Sequence, residues 1–440
     1  MGFNSSGTRR RRRRIAGLVT LGTIAMSLAA CGDGGSDDAA GGKVTITFMN
    51  DQVVAGMPLE QAIHKFEQEN PDIKVDVLPV PSESDYEAKM RTSLASSKPP
   101  DVFRINDDYV QLFTQNGTLF DLAPYVKSAG LKDSDYAAQV FNFGKQSDGR
   151  MTSWQLGYQS TIVFYNVNAF KKAGLPLPPG TWSGKGWTTA NFLADAQKMT
   201  DGTKMYGATV SAATNYEQTF THNNGSQDGV YSADGKKFTL ADPIGVQTVQ
   251  WVADLTCKYH VQPAWADLLQ DNADIQLFAQ GKTAMLFEQS GSVPYLRQTI
   301  KSFDWDIAPP PAGTADQANE ASVVSYAVPA KAKHHDAAFK LLNYLAGPEA
   351  GQILGKGGAF TPVNNQAAEA ISKASSGAPK HADLLAEAAH HLTAGNKTNN
   401  TLGARAIYRP ALDQVYNCKS SAQDVLSRAR PQVEQALGQG

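Results

Sequence analysis

The sequence predicts an α/β protein of two lobes, and three observations predict it. Period-two apolar segments alternate with segments of helical period, the rhythm returns later in the chain, and the length exceeds what one hydrophobic core serves. Val44-Thr-Ile-Thr-Phe48 alternates apolar and polar residues as a strand does. Pro58 opens a helix whose Leu59, Ala62, Ile63 and Phe66 fall on one face. Ile73–Val77 alternates again, a helix-sized segment follows, and Asp101–Ile105 reads as a third strand. Strand–helix–strand order of this kind implies a largely parallel sheet covered by helices.

The later segments repeat the pattern. Thr161–Tyr165 and Thr283–Phe287 are expected strands, and Asn191–Met199 an expected helix. Asp242-Pro243 reads as an N-cap and first-turn proline for a helix through Val249, Val252, Leu255 and Tyr259. Ala338, Leu341, Leu342 and Leu345 form another helix face, stopped by Gly347-Pro348, and residues 175–187, rich in Pro, Gly and Trp, form a loop.

Ahead of this part lie six consecutive arginines, Arg9–Arg14, and an uncharged run of 16 residues, Ile15–Ala30. A basic block, a short apolar stretch and small residues make an export signal, and the run is short of the ~20 residues that span a bilayer as a helix. Leu28-Ala29-Ala30-Cys31 resembles the lipobox of bacterial lipoproteins. That resemblance implies cleavage before Cys31, lipidation of its thiol, and residues 31–42 as a flexible Gly/Ser/Ala/Asp tether. The arginine run fits twin-arginine export as well as the general route, and both remain open.

Without residues 1–30 the chain has 34 basic and 42 acidic residues, a balance of −8 with no basic cluster, which argues against nucleic acid as a partner. Cys257 and Cys418 are candidates for a disulfide outside the cell or for two buried thiols.

No catalytic motif emerges, and neither a cofactor nor a metal is expected. Gly281-Lys282-Thr283 has the tail of a phosphate-binding loop, but Gln276 stands where the motif needs glycine. His334-His335 and His390-His391 are adjacent pairs that point about 100° apart on a helix, poor chelates and expected solvated surface. Asp107-Asp108 carries two carboxylates, yet nothing identifies a matching acid for glycoside hydrolysis.

Motifs across most of the chain resemble extracellular solute-binding lipoproteins of ABC importers: "AIHKFEQENPDIKVDV" (62–77), "KPPDVFRINDDYVQLFTQNGTLFDLAPYV" (98–126), "VFYNVNAFKKAGLPLPPGTW" (163–182), "LFAQGKTAMLFEQSG" (277–291), "YAVPAKAKHHDAAFKLLNYLAGPEAGQIL" (326–354) and "GGAFTPV" (357–363). The resemblance implies a two-lobed, type II periplasmic-binding-protein-like fold with hinge crossovers, no enzymatic activity, and a ligand closed in the cleft between lobes. It assigns residues 43–157 plus 303–346 to lobe 1 and 158–302 plus 347–440 to lobe 2, with crossings near Tyr158, Ser302 and Gly347.

Ligand contacts carried over from the resemblance are Asn50, Asp51 and Gln52 after the first strand, Asp107 and Asp108 after the third, and Tyr158 and Gln159 at the first crossing. Tyr216, Glu217, Glu288, Gly291, Arg405 and Tyr408 complete the set. Ser and Gly occupy 290–292, where many sugar binders carry an aromatic platform, so Trp154 or Trp187 is the candidate ring. Asp108 and Arg405 are expected on loops facing water, with little native partner to lose. The implied protein is a monomeric, lipid-anchored, extracytoplasmic receptor that delivers a carbohydrate to an ABC permease. A lipid-anchored glycosidase, or a receptor for a polyol phosphate, peptide or amino acid, is the alternative.

Overall fold

In the computed structural model, residues 43–51, 57–80, 83–183, 186–202, 204–210, 216–270, 272–374, 377–393 and 395–438 are described. Cys31, its flanking signal and tether, and Gln52 lie outside them. Among the described residues, nine strands share one sheet: β1 (Val44–Asp51), β2 (Ile73–Val80), β3 (Val102–Ile105), β4 (Trp154–Asn166), β5 (Thr209–Val210), β6 (Met285–Gln289), β7 (Trp305–Ala308), β8 (Ala321–Ala327) and β9 (Thr361–Pro362). The order is β2-β1-β3-β8-β4-β6-β5, with β7 and β9 also pairing β4.

The expected strand–helix–strand start is present. β1 runs parallel to β2 and β3, and the helix Pro58–Glu69 between β1 and β2 buries Ala62, Ile63 and Phe66. The sheet as a whole is mixed rather than largely parallel. β8 runs antiparallel to β3, and β4 runs antiparallel to β6, β7, β8 and β9. β4 carries the fold from one lobe to the other. Its Trp154–Ser160 half pairs with β8, and its Thr161–Tyr165 half pairs with β6. Gly157 is required where β9 pairs with β4, because a Cβ there would stand 2.4 Å from Thr361 O and 2.2 Å from the Phe360 ring.

Strand alternation separates the cores. Ile162 and Phe164 of β4 point into one cluster with Leu286 and Trp305, while Val163 and Tyr165 point into another with Phe220, Phe287 and Leu412. In the other lobe Ile46 and Phe48 pack with Phe66, Trp154 and Leu342 on one face, and Met49 packs with Phe103 and Tyr109 on the opposite face. Both lobes are thus sheets covered on two faces by helices, and every apolar residue of a central strand has a core to enter.

Local expectations hold with a few differences. Thr188 caps the helix Thr189–Met199 in a capping box with Asn191. Asp242 stands at the N-cap of the helix Pro243–Cys257 but makes no side-chain cap; its carboxylate pairs with Arg430 instead. Tyr259 falls beyond that helix. Pro348 does follow the end of the helix His335–Leu345, but it also opens the next helix, Pro348–Gly355. Ala350, Leu354 and Val363 pack with the first lobe's core, whereas the expected division at residue 347 assigns them to the second. The histidine pairs are less solvated than expected: His335 stacks on Phe120 at 3.8 Å, His391 on Trp182 at 4.7 Å, and His334 hydrogen-bonds Asp101. Cys257 and Cys418 form a disulfide with Cα atoms 5.6 Å apart, joining the end of the helix Pro243–Cys257 to the turn after the helix Thr401–Tyr416.

Candidate ligand-binding site

β3 ends at Ile105, and the helix Asp107–Gln115 begins two residues later with both acids in its first turn, where the helix dipole favours negative charge. Asp107 Oδ2 accepts from the Val323 backbone N–H of β8 at 3.2 Å. Asp108 Oδ2 accepts from Arg405 Nη1 at 2.5 Å. Arg405 lies on the helix Thr401–Tyr416, and Arg409 follows one turn later on the same side. Arg409 Nη2 donates to Glu217 Oε2 at 3.1 Å, and Glu217 is almost wholly buried on the helix Tyr216–Asn223.

These groups line a cavity of about 500 Å³, within the range of small-ligand sites. Glu320, just ahead of β8, is on the same wall. Its backbone is held on both sides: its N–H donates to Thr219 Oγ1 at 3.0 Å, and its C=O accepts from Thr161 N–H at 3.0 Å. Lys397 closes one edge, with Nζ donating to the carbonyls of Phe143 and Lys145 at 2.8 Å each. Burial pushes its ammonium below the usual lysine range.

Burial also dominates the acids. It pushes Asp107 up to about 7 against the Val323 N–H, with Asp108 adding to the rise and Arg405 and Arg104 opposing it. Burial likewise pushes Glu320 up to about 8; Arg405 opposes the shift and Glu217 reinforces it. Arg405, Arg409 and Lys397 donate to protein acceptors, and Gln159 Nε2 and Gln289 Nε2 donate to Ala359 O and Ser322 Oγ, both at 2.8 Å. Asp107 Oδ1, Gln111 Oε1, Glu217 Oε1 and Glu320 Oε2 are buried without a hydrogen-bond partner, as is the Tyr231 hydroxyl, which can donate or accept.

Of the residues expected from sequence, Asp107, Asp108, Gln159, Glu217, Arg405 and Tyr408 line this cavity together. Asp108 and Arg405, however, sit on helices and hold each other, rather than facing water singly from loops. Other expectations need correction. Trp154 presents no ring to the cavity; it is fully buried and donates Nε1–H to Leu342 O at 2.9 Å. Trp187 is buried against Phe192 with Nε1–H on Asp195. Tyr158 is buried, its hydroxyl donating to Leu385 O at 3.0 Å, and Tyr216 is buried against the Tyr416 hydroxyl. Asn50 accepts from the Tyr326 hydroxyl at 2.8 Å behind the wall. Glu288 is buried beside Asp274 and pushed up to about 8, chiefly by burial. Gly291 abuts Gln159, whose Nε2 would lie 2.6 Å from a Cβ there; it makes room for a lining residue without lining the cavity itself. Asp51 ends β1, pairing with Val80 through its backbone.

Sequence reading missed Glu320, Arg409, Lys397, Phe143 and Tyr231. Arg409 had a signal, being one helical turn from Arg405 in "GARAIYRP". Glu320 had only a weak one, a lone acid directly before an apolar strand.

A family model described as bacterial extracellular solute-binding protein matches residues 50–352. Among relatives, the sn-glycerol-3-phosphate-binding periplasmic protein UgpB of Brucella abortus is 28% identical over 212 residues, 45% of this chain and 46% of that protein. The multiple sugar-binding protein of Streptococcus mutans is 28% identical over 173 residues, 39% of each. The chain thus spans about half the length of such relatives, or less. In solved structures, the ABC substrate-binding protein Lmo0181 from Listeria monocytogenes in complex with cycloalternan superposes with a TM-score of 0.79 at 23% identity, covering 90% of this chain and 99% of that one. UgpB from Mycobacterium tuberculosis in complex with glycerophosphocholine gives 0.75 at 17% identity, with 90% and 99% covered. These likenesses carry the fold, a cleft between two sheet-built lobes. With the family model spanning more than half of its length, the chain belongs to the bacterial extracellular solute-binding protein family.

Proposed function

We propose that this protein is a receptor that binds a mono- or oligosaccharide in its interlobe cleft and delivers it to an ABC permease, without chemistry of its own. The observation that carries this reading is the set of buried acceptor oxygens without a hydrogen-bond partner on the cavity wall, at Asp107, Gln111, Glu217 and Glu320. Sugar hydroxyls donate, and a donor-rich ligand would satisfy oxygens whose desolvation otherwise goes uncompensated. A phosphate or carboxylate brings acceptors only. At the two arginines it would compete with Asp108 and Glu217, which argues against the polyol-phosphate alternative. Closure follows from contacts made to both walls at once, because a ligand favours the state it binds best.

A lipid at Cys31, a monomer, and lobes divided as the core clusters suggest complete the proposal. Two acyl chains on one cysteine suffice for stable anchoring where one chain does not. A thermal-shift screen over mono- and disaccharides, polyols and their phosphates tests the ligand class, since binding raises stability by mass action. Stabilisation by a neutral or amino sugar is the expected result, and a response to phosphates alone contradicts it. Oligosaccharides recovered uncleaved after incubation separate a receptor from a glycosidase. Cys31→Ser is expected to release the protein from the membrane or block its processing, and a variant anchored and processed like the parent refutes lipidation.

A further inference from the structure

The four carboxyl groups on the cavity wall fall into two kinds. Asp108 and Glu217 each hold an arginine. Asp107 and Glu320 form no ion pair among the described residues. Asp107 has a single backbone N–H on Oδ2 and none on Oδ1. Glu320 Oε2 is out of solvent and unpartnered, and the hydrogen bonds to Thr219 Oγ1 and from the Thr161 N–H keep its backbone from carrying the carboxyl away. Asp107 also disfavours the charge on Glu320.

A neutral sugar closing over this pair supplies hydrogen bonds but no charge. Desolvating two carboxylates without a cation is strongly unfavourable, so they would have to stay protonated and lose part of their capacity as acceptors. The arginines on the wall offset that cost only in part and form no ion pair with either acid among the described residues. Arg405 and Arg409 pair with Asp108 and Glu217, and Lys397 donates to two carbonyls. A ligand ammonium supplies both the charge and up to three N–H donors.

Resting on the carbohydrate reading above, we propose that the preferred ligand carries a protonated primary amine, as in an amino sugar or an oligosaccharide containing one, with its ammonium donating to Asp107 Oδ1 and the Glu320 carboxylate. The remaining hydroxyls would meet Gln111 Oε1 and Glu217 Oε1, which are unpartnered acceptors on the wall too.

The test is calorimetric titration of the mature protein at pH 6.5 with chitobiose, its N,N′-diacetyl form, cellobiose and glycerophosphocholine, beside apo melting. Chitobiose is expected to bind about 10-fold or more tighter than cellobiose, since a charge-assisted bond replaces a neutral one. Its binding should release protons from the two acids, read from the heats in buffers of different protonation enthalpy. Glu320→Gln is expected to weaken chitobiose more than cellobiose, erasing the preference, with apo melting at or above the parent's. Equal affinity for chitobiose and either uncharged disaccharide overturns the amine and leaves the carbohydrate receptor standing, as does a preference that survives Glu320→Gln. Binding of glycerophosphocholine alone overturns the amine and the carbohydrate reading together.

Discussion

Arg405 and Arg409 lie one turn apart on the same helix, and each pairs with a carboxylate, yet they do different work. Arg409 reaches Glu217, whose helix packs in the same core as Tyr408 and Leu412. That pair is internal to the second lobe, and Glu217 is almost wholly out of water. Arg405 reaches Asp108, whose helix packs through Tyr109 and Val110 against the other lobe's strands. It spans the cleft, with roughly a third of its side chain exposed. One ion pair is therefore internal to one core, and the other is a strut between helices of two different cores. Identical chemistry four residues apart is turned into a core contact or into a contact across the cavity by what stands opposite.

Removing one partner of the buried pair should have the largest effect. Arg409→Ala strands Glu217 and is expected to cost about 3–5 kcal/mol in denaturant unfolding. A loss under about 1 kcal/mol, the range of exposed pairs, would erase the distinction between the two arginines. Leu412→Ala gauges the helix itself. Leu412 is buried in the same core, and its truncation should cost ~2–5 kcal/mol while ligand affinity of the folded fraction stays near the parent's. An affinity loss comparable to that of a cleft variant would mean that the helix transmits core damage to the site.

A smaller effect is expected from pH. Asp107 and Glu320 are raised to about 7 and about 8 by burial, above the ~4 of unfolded carboxyls. Between those values the native state binds more protons than the unfolded one, so their contribution to stability falls as pH rises from about 4 to about 8. Arg405, Arg409, Glu217 and Asp107 all face Glu320, and Arg405 limits the slope. Melting measured from pH 5 to 9 should be flatter for Glu320→Gln than for the parent. Identical profiles would mean that Glu320 ionises normally in the folded state.

Arg405→Ala should change stability least, by ~0–1 kcal/mol, because the pair it breaks is partly solvated. A large loss would make the strut a structural element like Arg409. Its influence belongs to the open–closed equilibrium instead.

The difference between the two arginines also marks how far sequence could be read. Local periodicity was enough for β1, for the helix Pro58–Glu69 and for the buried face around Leu342, because neighbours in sequence settle those elements. β4 was seen only as Thr161–Tyr165, since both its halves are buried and its partner β8 lies some 160 residues away. Trp154, Tyr158 and Tyr216 were placed near the cleft by resemblance, but position along a strand or helix does not say whether a ring faces ligand or core. Their polar atoms end on Leu342, Leu385 and Tyr416, which no spacing announces. Asp108 and Arg405 were read as separate cleft groups because they are 297 residues apart, and only the fold brings them together.

Small-angle scattering on the parent and on Arg405→Ala, each with and without the saturating sugar found by thermal shift, tests the two-lobed clamp most directly. With the strut intact, the ligand-free parent should already be close to the compact state and shrink little. Arg405→Ala should start from a larger radius of gyration and fall to the parent's value when the sugar bridges the walls. A variant that binds the sugar with no change in radius, from a ligand-free value equal to the parent's, would contradict closure around the ligand.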